Sequence, residues 1–115
     1  MGFSEVEAKK YAWMMDAYLK IRRPPDHLRD KVDIGFRLED QSIEIFEIRP
    51  VWNDPGEKME CSIAKATYVK SSDSWKVFWK KADLKWHGYE PCRVVKTMEE
   101  FLEIVDKDQY GCFWG

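Results

Sequence analysis

A chain of 115 residues that is 44% hydrophobic and 15% aromatic, with six tryptophans, excludes a disordered composition and holds enough apolar surface for a core without disulfides or a structural metal. Its 19 basic and 21 acidic residues sum to −2, which excludes a whole-molecule positive field as the means of attracting nucleic acid or an anionic membrane. Any such contact is restricted to a local patch, and with no Gly/Ser/Pro-rich stretch as a boundary, residues 1–115 are expected to form a single domain.

Ser4 and Glu7 have the spacing of a capping box, which predicts a helix from Glu5. Ala8, Tyr11, Ala12, Met15, Tyr18 and Leu19 recur at helical spacing as its apolar face, widened by Trp13 and Met14. Pro24 and Pro25 end it near Arg22. From Val32 the period becomes two, with Val32, Ile34, Phe36 and Leu38 on one side of a half-buried strand. After a turn at Asp40 and Gln41, Ser42 to Arg49 is the returning strand of a hairpin. Ile43 and Ile45 share one phase of it while Phe46 and Ile48 occupy the other, so either both faces are covered or a bulge shifts the register.

Asn53, Asp54, Pro55 and Gly56 predict an exposed loop over Val51 to Lys58 with Trp52 at its start, followed by a third strand from about Glu60 to Lys70. Ser71 to Ser74 form the next turn, and Trp75, Val77 and Trp79 then alternate with Lys76, Phe78 and Lys80 along a fourth strand. Lys85 to Tyr89 is a short fifth strand, and Cys92 to Lys96 extends the sheet again before Thr97 and Glu100 cap a second helix that buries Met98, Phe101, Leu102 and Val105. The closing stretch from Tyr110, with Phe113 and Trp114, is too apolar for a free tail and is expected to pack back. Connections this short suit hairpins. The expected fold is α+β: an N-terminal helix, an antiparallel β meander of four to six strands and a C-terminal helix, with the helices packed on one face of the sheet.

Two constellations carry a possible chemistry of binding. Paired as a hairpin, the fourth and fifth strands would set Trp79 and Trp86 among Lys76, Lys80, Lys81 and Lys85; rings stack bases and ammonium groups neutralise phosphates, so these four lysines are candidates for nucleic-acid binding. The competing structural reading sends Trp75, Val77 and Trp79 to the core and leaves the lysines as solvated guards of a sheet edge. The second constellation is a ligand pocket walled by Trp52, Trp79, Trp86 and Tyr89 and oriented by Glu47, Arg49 and His87, which requires these residues to converge on one concave surface.

Catalytic patterns are weaker. Asp33 followed by Glu47-Ile48-Arg49 is similar to the Asp and Glu-x-Lys set of metal-dependent nucleases, but Arg49 stands where lysine belongs, and a Glu47 and Arg49 pair beside Pro50 is the plainer reading. Cys61, Cys92 and Cys112, an odd set with no CxxC spacing, read as reduced thiols of a cytoplasmic protein rather than as a zinc site with His87. GxGxxG, GKS/T and GxSxG motifs do not occur. Charges run through Met1 to Ala12, and no apolar run reaches the ~20 residues of a membrane span, so neither a secretion signal nor a membrane is expected.

Taken in order, Glu47-Ile48-Arg49-Pro50-Val51-Trp52, the strand from Trp75 to Lys80, Trp86-His87-Gly88-Tyr89, and the stretch from Asp106 to Phe113-Trp114-Gly115 resemble a bacterial domain family of unknown function, DUF3024, over nearly the whole chain. The resemblance implies a stand-alone bacterial protein of about this length and brings no activity, substrate or catalytic residue. The expected protein is therefore a non-enzymatic binding or interaction module, cytoplasmic, monomeric or a small homo-oligomer, needing no cofactor or metal, with nucleic acid or a protein as partner. The alternative class is a small hydrolase or nuclease using Asp33, Glu44, Glu47 and His87, and a third reading is the small-ligand pocket.

Overall fold

Helix α1 (Glu5–Arg22) opens as its capping residues dictate: Ser4 Oγ accepts the Glu7 N–H at 3.2 Å, and Glu7 Oε1 accepts the Ser4 N–H at 3.0 Å. The structure is a computed structural model that describes residues 2–114, the Pro55 side chain apart. Arg23 leaves the helix in extended geometry ahead of Pro24, and Met15, Tyr18 and Leu19 are buried. Trp13 does not widen that face. It lies 75% exposed, because two positions before Met15 is about 200° around a helix of 3.6 residues per turn.

Strands β1 (Asp33–Glu39) and β2 (Ser42–Val51) form the predicted hairpin, turning on Asp40 at a positive φ of 52° and on Gln41. Both alternatives for β2 are realised together. Ile43 and Ile45 are fully buried toward the helices, while Phe46 is buried on the opposite face, where the Arg37 guanidinium lies 4.6 Å from its ring centroid. Gly35, the cross-strand partner of Phe46, makes this possible: a Cβ there would come within 2.9 Å of the Phe46 ring. The register also shifts between Ile45 and Phe46, so that Ile63 on β3 has no partner on β2.

Strand β3 (Asp54–Val69) starts earlier than its turn-forming residues suggest. Only Trp52 and Asn53 lie between the strands; Pro50 pairs with Lys58 and Val51 with Asp54, and a second register shift between those pairs absorbs the irregular residues. The expected 51–58 loop is thus the end of a long two-stranded arm.

Strand β4 (Ser74–Lys80) follows, and β5 (Trp86–Gly88) and β6 (Val94–Val95) both pair with it, completing an antiparallel six-stranded sheet in the order β1-β2-β3-β4-β5, with β6 also on β4. Lys80 to Phe78 pair with Trp86 to Gly88, and Lys76 and Trp75 with Val94 and Val95. Between them the Val77 carbonyl accepts the Tyr89 N–H and the Val77 N–H donates to the Arg93 carbonyl, both at 2.9 Å, while residues 90–92 swing outward in a 3-10 turn. One edge strand is thus interrupted at its middle.

Helix α2 (Met98–Lys107) starts on Thr97, whose Oγ1 accepts the Glu100 N–H at 3.2 Å. Both helices pack on one face, and Tyr18 joins them by donating to Asp106 at 2.6 Å. Met15, Ile43, Ile45, Ala66, Val77, Phe101 and Val105 form the core between them and the sheet. The closing segment folds back: Asp108 accepts the N–H groups of Phe113 and Trp114 at 3.0 and 2.9 Å, and Phe113 packs on Tyr89 with centroids 4.8 Å apart. Among the described residues, no helix is long and apolar enough to cross a membrane.

Candidate functional site

Strand register decides which residues meet on the face that no helix covers. Arg37, Glu44, Lys65, Phe78 and Gly88 lie side by side across β1 to β5, and Lys80 pairs with Trp86 beyond them. The ammonium of Lys65 sits 4.8 Å from the Trp86 ring centroid and 5.2 Å from that of Phe78, and the Lys80 ammonium also lies over Trp86 at 5.2 Å. Burial pushes the Lys65 ammonium below its ordinary pKa, with Glu44 opposing that shift and the like charge of Lys80 adding to it. Two cations and two half-buried rings therefore share one patch. Lys76 lies on the same face of β4, whereas Lys81 and Lys85 belong to the β4–β5 connection, where the Lys81 N–H donates to the Lys85 carbonyl at 3.2 Å.

The face is divided by charge. Toward β1 and β2, Arg37 pairs with Glu44 and Glu60, and a cleft of about 290 Å³ is lined by Glu39, Asp40, Ser42, Glu44, Lys65 and Trp86. Toward β4 and the interrupted edge the face carries Lys76 and Lys80, and Glu90 holds Arg93 at the break. Of the four lysines read as nucleic-acid candidates, Lys80 and Lys76 are on this face, and Lys65 joins them from β3. Nothing aromatic neighbours Lys65 in sequence before Tyr68, so its role is invisible there; the available signal was a lysine between Ala64 and Ala66 in a half-buried strand.

The pocket residues do not converge. Trp79 and His87 are cross-strand partners on the helix side, Trp79 under Lys81 at 5.4 Å and His87 Nε2 held 2.9 Å from Asp83 Oδ2. Trp86, one position from His87, faces the other way. Tyr89 is 2% exposed within the core. Glu47 and Arg49 pair with each other at 3.1 Å on the arm, beyond the last residue of β3 that pairs with β4, and Trp52 stands 92% exposed at the arm's end. Alternation separates the first group, and strand length separates the second.

The nuclease-like set is likewise dispersed. Asp33 pairs with Ile48 while Glu47 pairs with Ile34, which puts the two carboxylates in alternating positions, and Asp33 is bound by Arg23 through hydrogen bonds of 2.6 and 2.9 Å. That contact, with the Ile34 N–H, holds the Asp33 carboxyl below its ordinary pKa. Among the described residues no three His, Cys, Asp or Glu side chains form a metal-holding group, and Cys61, Cys92 and Cys112 are free thiols.

Two larger hollows open elsewhere on the described residues. One of about 420 Å³ opens at the break in the edge strand, lined by Lys76, Val77, Phe78, Gly88, Arg93 and Val94. The other, about 530 Å³, lies along the outward side of α1 by Trp13, Asp16, Lys20, Arg23 and Arg29, remote from the rings of the sheet.

Comparison with known proteins adds one match: the model of DUF3024, described as a domain of unknown function, covers residues 3–115. No curated protein and no solved structure matches the chain.

Proposed function

The chain belongs to the DUF3024 family, whose description names no activity, and on that premise we propose that the protein is a non-enzymatic binding module for single-stranded nucleic acid. The observation that carries this reading is the open-face patch in which Lys65 and Lys80 both lie over Trp86 and Lys65 also covers Phe78. A phosphate draws the ammonium groups toward itself, and a ring so released stacks a base at about 1–3 kcal/mol per base. Glu39 and Glu44 repel phosphate on the β1–β2 side, so the strand lies along β4, past Lys76 and Lys80. The flat, half-buried rings favour unpaired bases over duplex. The same reading takes the protein as bacterial and cytoplasmic, where its three free thiols stay reduced, and as a monomer or small homo-oligomer.

Fluorescence anisotropy of labelled single-stranded and duplex oligonucleotides, across a salt series, tests it. Binding that tightens as salt falls, single strand over duplex, is the expected result, and no binding at low salt overturns it. A protein partner is the second reading, favoured by Trp52, whose 92% exposure at the end of the β2–β3 arm suits a contact anchor. Trp52→Ser abolishing a co-purifying complex, with oligonucleotide binding intact, would select that reading.

A further inference from the structure

The break in the edge strand has a consequence for the open face. Residues 90–92 swing outward between β5 and β6, so Phe78 and Lys76 lack a continuous neighbouring strand, and the hollow of about 420 Å³ remains in that place. This volume lies within the ~300–1,000 Å³ of ordinary small-molecule sites. Its apolar walls are Phe78 from β4 and Val94, 51% exposed, from β6, while Val77 between them turns its side chain into the core. Lys76 and Arg93 supply cations. The Arg93 fork is bound to Glu90, but that pair is 64% and 73% exposed, so exchanging the carboxylate for a phosphate costs little.

Gly88 keeps the hollow open. A Cβ built on it meets no atom within 4 Å, and its backbone is not in the positive-φ region, so neither crowding nor strand geometry demands glycine here. A larger side chain at this position would point into the space. Phe78, moreover, is common to the hollow and to the Lys65 contact, which makes the two features one surface. Residues on one face of β4 recur every ~7 Å, so Phe78 and Lys80 offer neighbouring stations to an extended chain.

We propose that this notch is a subsite for one unstacked nucleobase, held between Phe78 and Val94 over Gly88, with the adjoining phosphate on Lys76 and Arg93. The proposal rests on the single-strand reading of the open face and names where that reading gains its base preference.

The test compares two octamers at low salt, one of deoxythymidine and one of abasic nucleotides with the same phosphates, against the wild-type chain, Gly88→Leu and Val94→Met. The two substitutions fill the notch from opposite walls, so one misfolded variant leaves the other as a test. The wild type should bind the thymidine octamer about tenfold more tightly than the abasic one. A filled notch should erase most of that preference and leave the abasic affinity and the thermal midpoint unchanged. Wild-type affinity for the thymidine octamer in both folded variants overturns the notch and spares the open-face reading. Equal losses on both octamers overturn the notch as well, because they mark a phosphate effect. Failure of the wild type to bind either octamer overturns the open-face reading itself.

Discussion

Trp75 and Trp86 stand on adjoining strands of one sheet and are put to opposite uses. On the helix side Trp75 is 3% exposed among rings, with Tyr11 edge-on at 5.1 Å, Tyr68 at 5.1 Å and Phe3 at 5.9 Å. On the open side Trp86 is half-buried among ammonium groups, with Lys65 at 4.8 Å and Lys80 at 5.2 Å. A ring among rings contributes burial and rigidity. A ring covered by flexible lysine chains keeps a surface that an anionic, planar ligand can take over. The difference between the two faces is one of neighbours, not residue type, and it teaches that counting aromatics in a sequence overstates the core.

Substitutions that break this comparison begin on the covered face. Phe101 is fully buried, so Phe101→Ala should lower unfolding free energy by about 3–5 kcal/mol in urea titration, the largest effect expected. Gly35 on the open face has no room for a side chain, since a Cβ there lies 2.9 Å from the Phe46 ring. Gly35→Ala drives a methyl against the Phe46 ring and should cost about 1–3 kcal/mol, with a double-mutant cycle against Phe46→Leu revealing coupling between the two positions.

Asp33 sharpens the contrast through pH. Its carboxyl is held below its ordinary value of 3.8, so its contribution to stability is present above that value and is lost as pH falls through the depressed folded pKa. Asp33→Asn should therefore cost about 1 kcal/mol at neutral pH and flatten the acid limb of stability below about pH 4, measured by urea midpoints. The smallest stability effects belong to the open-face lysines. Lys76→Gln and Lys80→Gln should leave stability within about 0.5 kcal/mol. Each should nonetheless lower the salt slope of oligonucleotide binding by about 1, the reverse of the profile of Phe101→Ala.

Local chemistry made most of the elements legible. The Ser4 and Glu7 pair, the prolines after Arg23, the alternation in β1 and β4 and the Thr97 cap each act within a few residues of themselves, and the helices and strands follow them. The arm was not legible, because Asn53, Asp54, Pro55 and Gly56 have the same preference for a loop as for a bulged hairpin end, and pairing with β2 decides between them. Trp13 misled for a different reason: helical spacing tolerates a wide apolar stripe, but the sheet covers only the side that carries Met15 and Leu19.

The candidate site divided in the same way. Lys80, Lys76 and Trp86 were visible as a basic aromatic run, whereas Lys65 and Phe78 enter only through the pairing of β3 with β4. The seven residues read as a pocket failed to meet because adjacency in sequence means opposition in a strand: Trp86 and His87 are neighbours along the chain and face apart.

By itself, the sequence determined the class of fold, the order of its elements and the aliphatic core, since these follow from periodicity and capping, which are properties of short segments. Only the tertiary structure decided that Phe46 is buried beneath Arg37, that the edge strand breaks opposite Val77, and that the rings of the open face are held by lysines. Register causes all three, and register is set between segments by the pairing of whole strands, so no single segment contains it.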